Sequence, residues 1–493
     1  MKKNFFSVLM FIGILAAGGL IAYKMIHLPK QAEMVALVSL LLLYPIFRFP
    51  IIGLYAAFLA APFIPFVRRL YSVVHGRPGV DPLIMVTDIL VAVVFISLFF
   101  ELRERLREQD RDSPSRIYMT MVTVYLVYLV FRTFFFNILP VSESVAKLKN
   151  YGPNVLLFFI GFVVAQRFIR LKILWGITVW IAIAASLYGL KQIYLGYSSA
   201  EKIWFSTVSF TTLFIQGVAR PFSFFQAPAA FADYLILAII GALMIAEWGA
   251  ARSKVFAVAA VPLLFYGVLI TSVRSGWIGA LAVFFFWFVF VKIRKMSSRI
   301  LVIAAVAGIF FTYQLIDDVV STGIGVKGMT NIIAGKSTTR NYVELLVTTR
   351  AGAITNPFEE HSLVSRMTLW SYLFESSIDL ERVVFGRGLG TMNADSLYVT
   401  YMAEFGYPGM FFIIILILGF IMVGLRALDT LTDPRVIVLA KGITVMNMVL
   451  AVMNITGTHI HSFPGDMYFW FFNGVLMNIH LIEAKLAEDV RKP

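Results

Sequence analysis

Three arginines occupy positions in this sequence where a simple solvated cation would not be expected. Arg132 lies well inside an apolar run, Arg220 precedes Pro221 just before another run, and Arg274 stands at the end of a third. An arginine at the centre of a bilayer costs roughly 2.5–3.5 kcal/mol on insertion scales. Snorkelling to the lipid headgroups, or an incidental place in an interfacial aromatic belt, are the plain alternatives. Guanidinium groups also bind phosphates in a bidentate fashion, which indicates an anionic ligand.

Acidic and imidazole side chains follow in the second half of the chain. Asp395 stands just before an apolar run, and Glu404 lies further into that run. A carboxylate at such a place is suited to act as a base or to bind a sugar hydroxyl, although an aspartate before a helix is also the expected N-cap. His361 is a lone histidine of the preceding loop. His459 and His461 are two residues apart with no evident third ligand, so no metal site is predicted.

Two further motifs lie between residues 317 and 395. Residues 362–377 show helical spacing of apolar side chains, which predicts an amphipathic helix carrying Trp370, with Arg366 at the border of its apolar face. Residues 385–391 form a glycine-rich turn around Arg387, and backbone amides of such a turn can contact phosphate oxygens. The turn lacks the ending of a Walker A loop, so it does not predict nucleotide binding.

Composition identifies the environment of these residues. The chain has 493 residues, of which 59% are hydrophobic and 14% are charged, and its mean hydropathy is +0.83. A soluble domain is about a quarter charged. Apolar runs of about 16–25 residues recur, which is the length that crosses a bilayer as a helix. The absence of cysteine excludes disulfides and thiolate metal sites.

The sequence therefore predicts an all-α polytopic membrane protein with about 14 transmembrane helices and a large external loop before the twelfth. Residues 1–316 form a bundle of about 11 spans, 317–396 the extracytoplasmic loop with its amphipathic helix, and 397–493 about three C-terminal spans. The runs lie at 4–23, 32–47, 51–67, 83–100, 117–139, 153–169, 173–190, 231–247, 255–273, 277–291, 300–316, 398–423, 436–457 and 467–482.

Basic turns orient these spans. The stretch Glu101–Arg116 carries five arginines and is expected in the cytoplasm together with both termini. Alternation then places Arg68, Arg69 and Arg77 on the outer side, against the rule. The net charge is +14, and about 19 of the 42 basic residues fall on or near the outer side. This excess also favours an anionic ligand there, and the number of arginines suits a pyrophosphate.

The order of these motifs resembles the O-antigen ligase/polymerase superfamily, membrane glycosyltransferases that take glycans from lipid pyrophosphate carriers. The resemblance covers roughly residues 170–480 and rests on these sequences: Arg220-Pro-Phe-Ser-Phe, Thr271-Ser-Val-Arg-Ser-Gly-Trp277, Ser365-Arg366 with Trp370, Gly386-Arg-Gly-Leu-Gly390, and Asp395-Ser-Leu-Tyr398 with Glu404. Family ligases tend to carry a His-Asn pair where this chain has Asp395-Ser396, so the resemblance favours the polymerase branch.

The resemblance implies polymerisation of undecaprenyl-pyrophosphate-linked repeat units into a surface polysaccharide, on the outer face of the bacterial cytoplasmic membrane. Arg220, Arg274 and Asp395 are the expected catalytic residues, with Asp395 contacting or deprotonating the attacking hydroxyl. The expected substrate-binding residues are Arg366, Arg387, Tyr398, Arg132, Glu404, Trp370 and His361. The transfer implies no metal and no cofactor, and a single displacement that inverts the anomeric carbon.

The implied partners are the lipid-linked glycan donor and acceptor, membrane lipids and other proteins of polysaccharide export or chain-length control, with no nucleic acid. Two alternatives stay open: an O-antigen-type ligase that transfers glycan to another acceptor, and a flippase for lipid-linked oligosaccharide. A flippase is expected to place its charges deep in a central cavity, and an ion-coupled transporter is expected to carry carboxylates at mid-membrane.

Overall fold

The computed structural model of the chain describes residues 44–75, 86–108, 113–135, 138–165, 167–207, 213–215, 218–289, 368–374, 379–392 and 394–491. These residues are almost entirely helical. The first eight helices are α1 (Pro50–Ala60), α2 (Ile64–His75), α3 (Val86–Glu108), α4 (Pro114–Phe134), α5 (Val141–Tyr151), α6 (Leu156–Val164), α7 (Phe168–Tyr194) and α8 (Ser199–Thr207).

The second half follows a two-residue hairpin. Strands β1 (Phe214–Ile215) and β2 (Val218–Ala219) pair antiparallel. The helices after it are α9 (Pro228–Trp248), α10 (Ala251–Ile270), α11 (Arg274–Phe288), α12 (Leu380–Phe385), α13 (Leu397–Thr430), α14 (Pro434–Met453), α15 (Gly465–Met477) and α16 (Ile479–Arg491). Proline occupies the first turn of α4, α9 and α14, where its missing N–H leaves no hydrogen bond unmade.

Seven helices in the described part of the chain are long and apolar enough to cross a membrane, which supports a multi-pass membrane protein. They are Pro50–Val74, Pro114–Phe134, Phe168–Tyr194, Pro228–Trp248, Ala251–Ile270, Leu397–Thr430 and Pro434–Met453. The predicted spans 4–23 and 300–316 lie outside the described residues. The predicted count of about 14 is therefore not established.

Several predicted spans form shorter helices than their hydropathy suggests. The run at 153–169 is a nine-residue helix, α6, that ends before Arg167 begins the next one. The run at 277–291 is α11, of 15 residues. The run at 467–482 is divided at Asn478, whose side-chain amide donates to the Phe162 carbonyl at 3.0 Å. Hydropathy alone does not reveal such breaks, because a polar side chain can redirect the backbone by a tertiary hydrogen bond.

Helices α9 and α14 form the buried centre of the molecule, with α7, α10, α11 and α13 packed around them. Polar pairs connect neighbouring helices there. The side-chain amides of Asn447 in α14 and Asn473 in α15 exchange hydrogen bonds of 2.7 and 2.9 Å. Helices α6 and α15 are in contact through their backbones at Gly161 and Gly474. Glycine has no side chain, and a Cβ atom at either position would collide with the backbone of the other helix. These contacts fix the helix ends that surround the site described below.

Candidate functional site

A cavity of about 960 Å³ opens between the helix ends and connecting turns. Its wall takes residues from α2, α3, α5, α9, α11, α13, α15 and the turns beside them. Four of the residues that the sequence predicted for the site line it: Arg220, Arg274, Asp395 and Glu404. They lie far apart in the chain, so the fold brings them together.

Arg274 is the first residue of α11. The turn between α10 and α11 is three residues long and contains Ser272 in a left-handed conformation, with φ of 54°. The indole of Trp277 donates to the Leu269 carbonyl across this turn at 3.1 Å. The sharp reversal therefore directs Arg274 from the end of a helix into the cavity wall, as its position at the end of an apolar run suggested.

Arg220 follows strand β2 and reaches the same turn. Its amide donates to the Leu213 carbonyl at 2.8 Å, which holds it against the hairpin. One guanidinium nitrogen donates to the Ser272 carbonyl at 3.3 Å. The Arg220 side chain thus contacts the backbone two residues before Arg274. The two cations therefore lie on the same side of the cavity.

The segment after Arg220 is held by a buried polar cluster. Arg69 donates to the Phe225 carbonyl at 2.7 Å and pairs with Glu201 at 3.7 Å, with both side chains at most 3% exposed. The amide oxygen of Gln192 accepts hydrogen bonds from the amides of Phe222 and Ser223 at 3.1 and 2.9 Å. Sequence analysis left Arg69 as an exception to the positive-inside rule. In the structure Arg69 is buried and holds the loop that carries Arg220 by hydrogen bonds to its backbone.

Asp395 is exposed on the cavity wall and has a left-handed backbone, with φ of 49°. The residue in the N-cap position of α13 is Ser396, not Asp395. The Leu397 amide donates instead to the carbonyls of Asn454 and Gly457. The helix start is therefore held by a neighbouring turn, and Asp395 is not the N-cap of α13.

Glu404 lies in α13, is 1% exposed and also lines the cavity. Its carboxylate accepts a hydrogen bond from the Tyr151 hydroxyl at 2.5 Å. Arg132 is fully buried and donates to the backbone carbonyls of Phe135 at 2.8 Å and Glu404 at 3.2 Å. Arg132 is not in the lining of the cavity. It binds the backbone that carries Glu404.

The glycine-rich turn packs against a break in α13. The amides of Arg387 and Gly388 donate to the carbonyls of Ala403 and Glu404 at 2.7 and 3.0 Å. Those two amides are therefore not available to phosphate oxygens, whereas Gly390 and Thr391 of the same turn line the cavity. The guanidinium of Arg387 lies 5.5 Å from the centre of the Tyr372 ring and outside the cavity lining.

Other predicted residues lie elsewhere. The Tyr398 hydroxyl donates to the Ala451 carbonyl at 2.8 Å, and Tyr398 is not in the lining. Residues 368–374 are helical within the predicted helix. Trp370 there donates to the Ala394 carbonyl at 2.7 Å, so it supports the segment before Asp395. Leu373 of this helix is buried, whereas Phe374 is 43% exposed. Arg366 and His361 lie outside the described residues.

The cavity also contains ionisable residues that the sequence analysis did not select. They are the bases Arg68, Lys147 and Lys149, and the acids Asp88, Asp233 and Asp466. The described lining therefore holds five basic and five acidic side chains, so it is not a purely cationic surface. Lys149 and Asp88 pair at 3.8 Å, and Asp466 accepts from the Asn154 amide at 2.6 Å. Of these six residues, the sequence pointed only to Arg68, through its predicted place on the outer side.

Two lining residues outside the membrane spans have pKa values that their surroundings shift. Burial lowers the pKa of His461 to about 4, so its ring is neutral at physiological pH. Its Nε2 lies 3.0 Å from the Tyr401 hydroxyl. Burial and the nearby carboxylate of Glu404 raise the pKa of Tyr151 well above its usual value, so the phenol stays a hydrogen-bond donor. Among the described residues no cluster of three or more His, Cys, Asp or Glu side chains could hold a metal ion.

Comparison of the sequence with models of known protein families and with curated proteins finds no match. The resemblance to the O-antigen ligase/polymerase superfamily therefore stays a prediction that rests on the motif residues. Independently of it, the cavity combines two arginines suited to bind an anion with carboxylates suited to bind hydroxyl groups.

Proposed function

We propose that this protein is a membrane glycosyltransferase that polymerises oligosaccharide repeat units carried on a lipid pyrophosphate, undecaprenyl pyrophosphate being the carrier. The observation that carries the proposal is the meeting of Arg220, Arg274 and Asp395 on one cavity among apolar helices. A lipid pyrophosphate needs an apolar surrounding for its tail, cations for its diphosphate and acceptors for its sugar hydroxyls, and all three are present.

The reaction follows from the charges. An acceptor hydroxyl oxygen attacks the anomeric carbon of the donor, and the bond from that carbon to the diphosphate oxygen breaks with its electron pair passing to the diphosphate. Arg220 and Arg274 bind the diphosphate and stabilise its growing negative charge. Asp395 accepts a hydrogen bond from the attacking hydroxyl and orients it, and the hydroxyl proton passes to a base of the cavity as the new bond forms. A single displacement of this kind inverts the anomeric carbon.

Deletion of the gene and replacement by the intact gene test this proposal in the cells that carry it. Loss of a polymerase should leave single repeat units on the surface acceptor and on the lipid carrier. Loss of a ligase would instead leave long polymer on the lipid carrier, and loss of a flippase would leave lipid-linked units on the cytoplasmic face. Either of the last two results would replace the polymerase proposal by the corresponding alternative.

Binding of the carrier gives a second test on the purified protein. Undecaprenyl pyrophosphate should bind to the full-length chain in nanodiscs, and undecaprenol, which lacks the diphosphate, should bind at least about tenfold more weakly. Equal binding of the two lipids would contradict a diphosphate site.

A further inference from the structure

A second acid–base group lies in the same cavity. Asp233 in α9 and His459, in the turn between α14 and α15, both line it. The Nδ1 atom of His459 lies 2.8 Å from a carboxylate oxygen of Asp233. The two side chains are 5% and 3% exposed, and they are 226 residues apart in the sequence.

The second polar atom of each side chain is left without a partner. Within the part of the chain that the structure describes, the Nε2 atom of His459 and the Oδ2 atom of Asp233 are buried and accept or donate no hydrogen bond. Leaving a buried polar atom unpaired costs free energy, so each such atom in a native protein needs an explanation. A site that is completed by a bound hydroxyl group provides one.

The surrounding turn holds the imidazole in place. The side-chain carbonyl of Asn454 accepts a hydrogen bond from the Ile460 amide at 3.2 Å, and the Asn454 main-chain carbonyl binds the start of α13 beside Asp395. Gly457, another lining residue, lies against Nε2, and a side chain at that position would collide with the ring. The turn thus connects His459 directly to the helix start that carries Asp395.

The neighbouring histidine, His461, differs from His459 in the pairing of its ring. The Nε2 atom of His461 is already paired with the Tyr401 hydroxyl. In the tautomer with its proton on Nδ1, the His459 ring donates a hydrogen bond to the Asp233 carboxylate, and the lone pair of Nε2 can then accept one. This pairing of an oriented imidazole with a buried carboxylate is the arrangement that general bases use in other enzymes.

We propose that His459 is the general base of the cavity and that Asp233 is its positioning residue, a role that rests on the proposed function. As the acceptor oxygen bonds to the anomeric carbon and the diphosphate leaves, the hydroxyl proton passes to Nε2 of His459. The resulting imidazolium pairs with Asp233 and later releases its proton to solvent. Asp395 then orients the acceptor without taking the proton. Nε2 packs closely against Gly457, and catalytic hydrogen bonds often form only when substrate is bound.

The test separates proton transfer from donor binding. His459→Gln and Asp233→Asn keep polar groups of similar size in the wall, and His480→Gln changes an exposed histidine of α16 as the matched control. In cells that depend on the introduced gene, both cavity variants should lower the polymerisation rate roughly 100-fold or more, the range of general base catalysis. Lipid-linked repeat units should accumulate, and the control should behave as wild type.

Binding of undecaprenyl pyrophosphate to the purified full-length variants should stay within about twofold of wild type, because the diphosphate is bound by the arginines. The double variant should be no slower than His459→Gln, since two residues that act as a unit are not additive. Wild-type polymer from either single variant, or lost carrier binding in both, would overturn the base assignment and leave the proposed function intact. A wild-type protein that neither binds the carrier nor affects polymer would overturn both.

Discussion

Arginine rather than lysine stands at both positions proposed to bind the diphosphate. A guanidinium offers a planar pair of N–H donors to two phosphate oxygens, whereas the lysine ammonium is a single point charge on a flexible stem. Arg220 follows strand β2 and donates to the Ser272 carbonyl, two residues before Arg274 at the start of α11. The two guanidinium groups therefore come from different backbone segments.

Replacing either arginine by lysine tests whether the fork matters. Arg220→Lys and Arg274→Lys should each weaken undecaprenyl pyrophosphate binding about tenfold or more, because the charge is kept and the bidentate contact is lost. Arg252→Lys, an exposed position on α10, is the control. Isothermal titration calorimetry in nanodiscs measures binding of the carrier, and the amount of polymer made by cells measures activity. Unchanged binding and near-normal product from both variants would refute the assignment.

Asp395→Asn separates the charge of this residue from its backbone geometry. Asparagine accepts a left-handed φ about as well as aspartate, so the conformation at φ of 49° should be kept. Loss of the negative charge weakens the hydrogen bond to the acceptor hydroxyl, and polymer output should fall about tenfold or more while carrier binding stays.

Comparison with His459→Gln assigns the base. If Asp395→Asn abolishes polymer while His459→Gln has no effect, the proton goes to Asp395 as the sequence suggested. If Asp395→Asn polymerises at the wild-type rate, Asp395 has no role in the reaction, and its placement on the wall is incidental.

At the scale of elements, the break in α13 determines where Glu404 lies. Gly406 has φ of 74° and ψ of −178° inside the helix, and the glycine-rich turn packs on it. A Cβ atom at Gly406 would come within 2.6 Å of the carbonyl oxygens of Val383 and Val384. The two backbones can approach this closely only because Gly406 has no side chain. This close approach explains why the amides of the turn donate hydrogen bonds to the carbonyls of α13.

Gly406→Ala should therefore destabilise the protein by about 2 kcal/mol or more, from the left-handed backbone and the collision together. Gly176→Ala in α7 is the matched control, because its added Cβ meets nothing within 4 Å and alanine favours a helix by up to about 1 kcal/mol. Thermal unfolding in detergent measures both. A Gly406→Ala melting point equal to that of Gly176→Ala would show that the break is not required.

The buried pair below the Arg220 loop gives a second test at this scale. Arg69→Ala should destabilise by roughly 1.5–3 kcal/mol, because it removes the buried hydrogen bond to the Phe225 carbonyl and one of the two cations that pair with Glu201, the other being Lys191 at 3.8 Å. Adding Glu201→Gln should restore part of this loss. The partly exposed pair of Arg105 and Glu101 is the control, and Arg105→Ala should cost at most about 1 kcal/mol. If Arg69→Ala matches the control in denaturant unfolding, the cluster does not hold the loop.

At the scale of the whole molecule, the orientation in the membrane decides which compartment supplies the substrates. The basic stretch that begins in the last turns of α3 predicts a cytoplasmic location, and the loop before α13 predicts an external one. Glu104 in α3 and Glu381 in α12 are exposed in these two places. The chain has no cysteine, so single introduced cysteines are unambiguous reporters.

Glu381→Cys should react with a membrane-impermeant maleimide in intact cells, and Glu104→Cys should react only after the membrane is permeabilised. Mass shift of the labelled protein measures the extent, and the cysteine-free parent provides the background. The reverse pattern would invert the topology and place the cavity where an outward-facing polymerase could not use it.

The membrane character and the helical class were evident from the sequence alone. Hydropathy over about 20 residues is a local property, and in lipid a single helix satisfies its own backbone hydrogen bonds. For the same reason Arg220, Arg274, Asp395 and Glu404 could be selected as candidates: each is a costly polar residue at or near the end of an apolar run, and the cavity includes all four.

Only the tertiary structure decided which polar residues meet one another. Nothing in the local pattern pairs Asp233 with His459, or Arg69 with the loop that carries Arg220, because those contacts depend on how the helices pack. The same holds for Arg132, whose guanidinium donates to the backbone carbonyl of Glu404. The positions of helix breaks also depend on packing, since a backbone group freed by a break needs a partner from another segment. A sequence reports the cost of a buried polar group, and the fold determines what compensates for it.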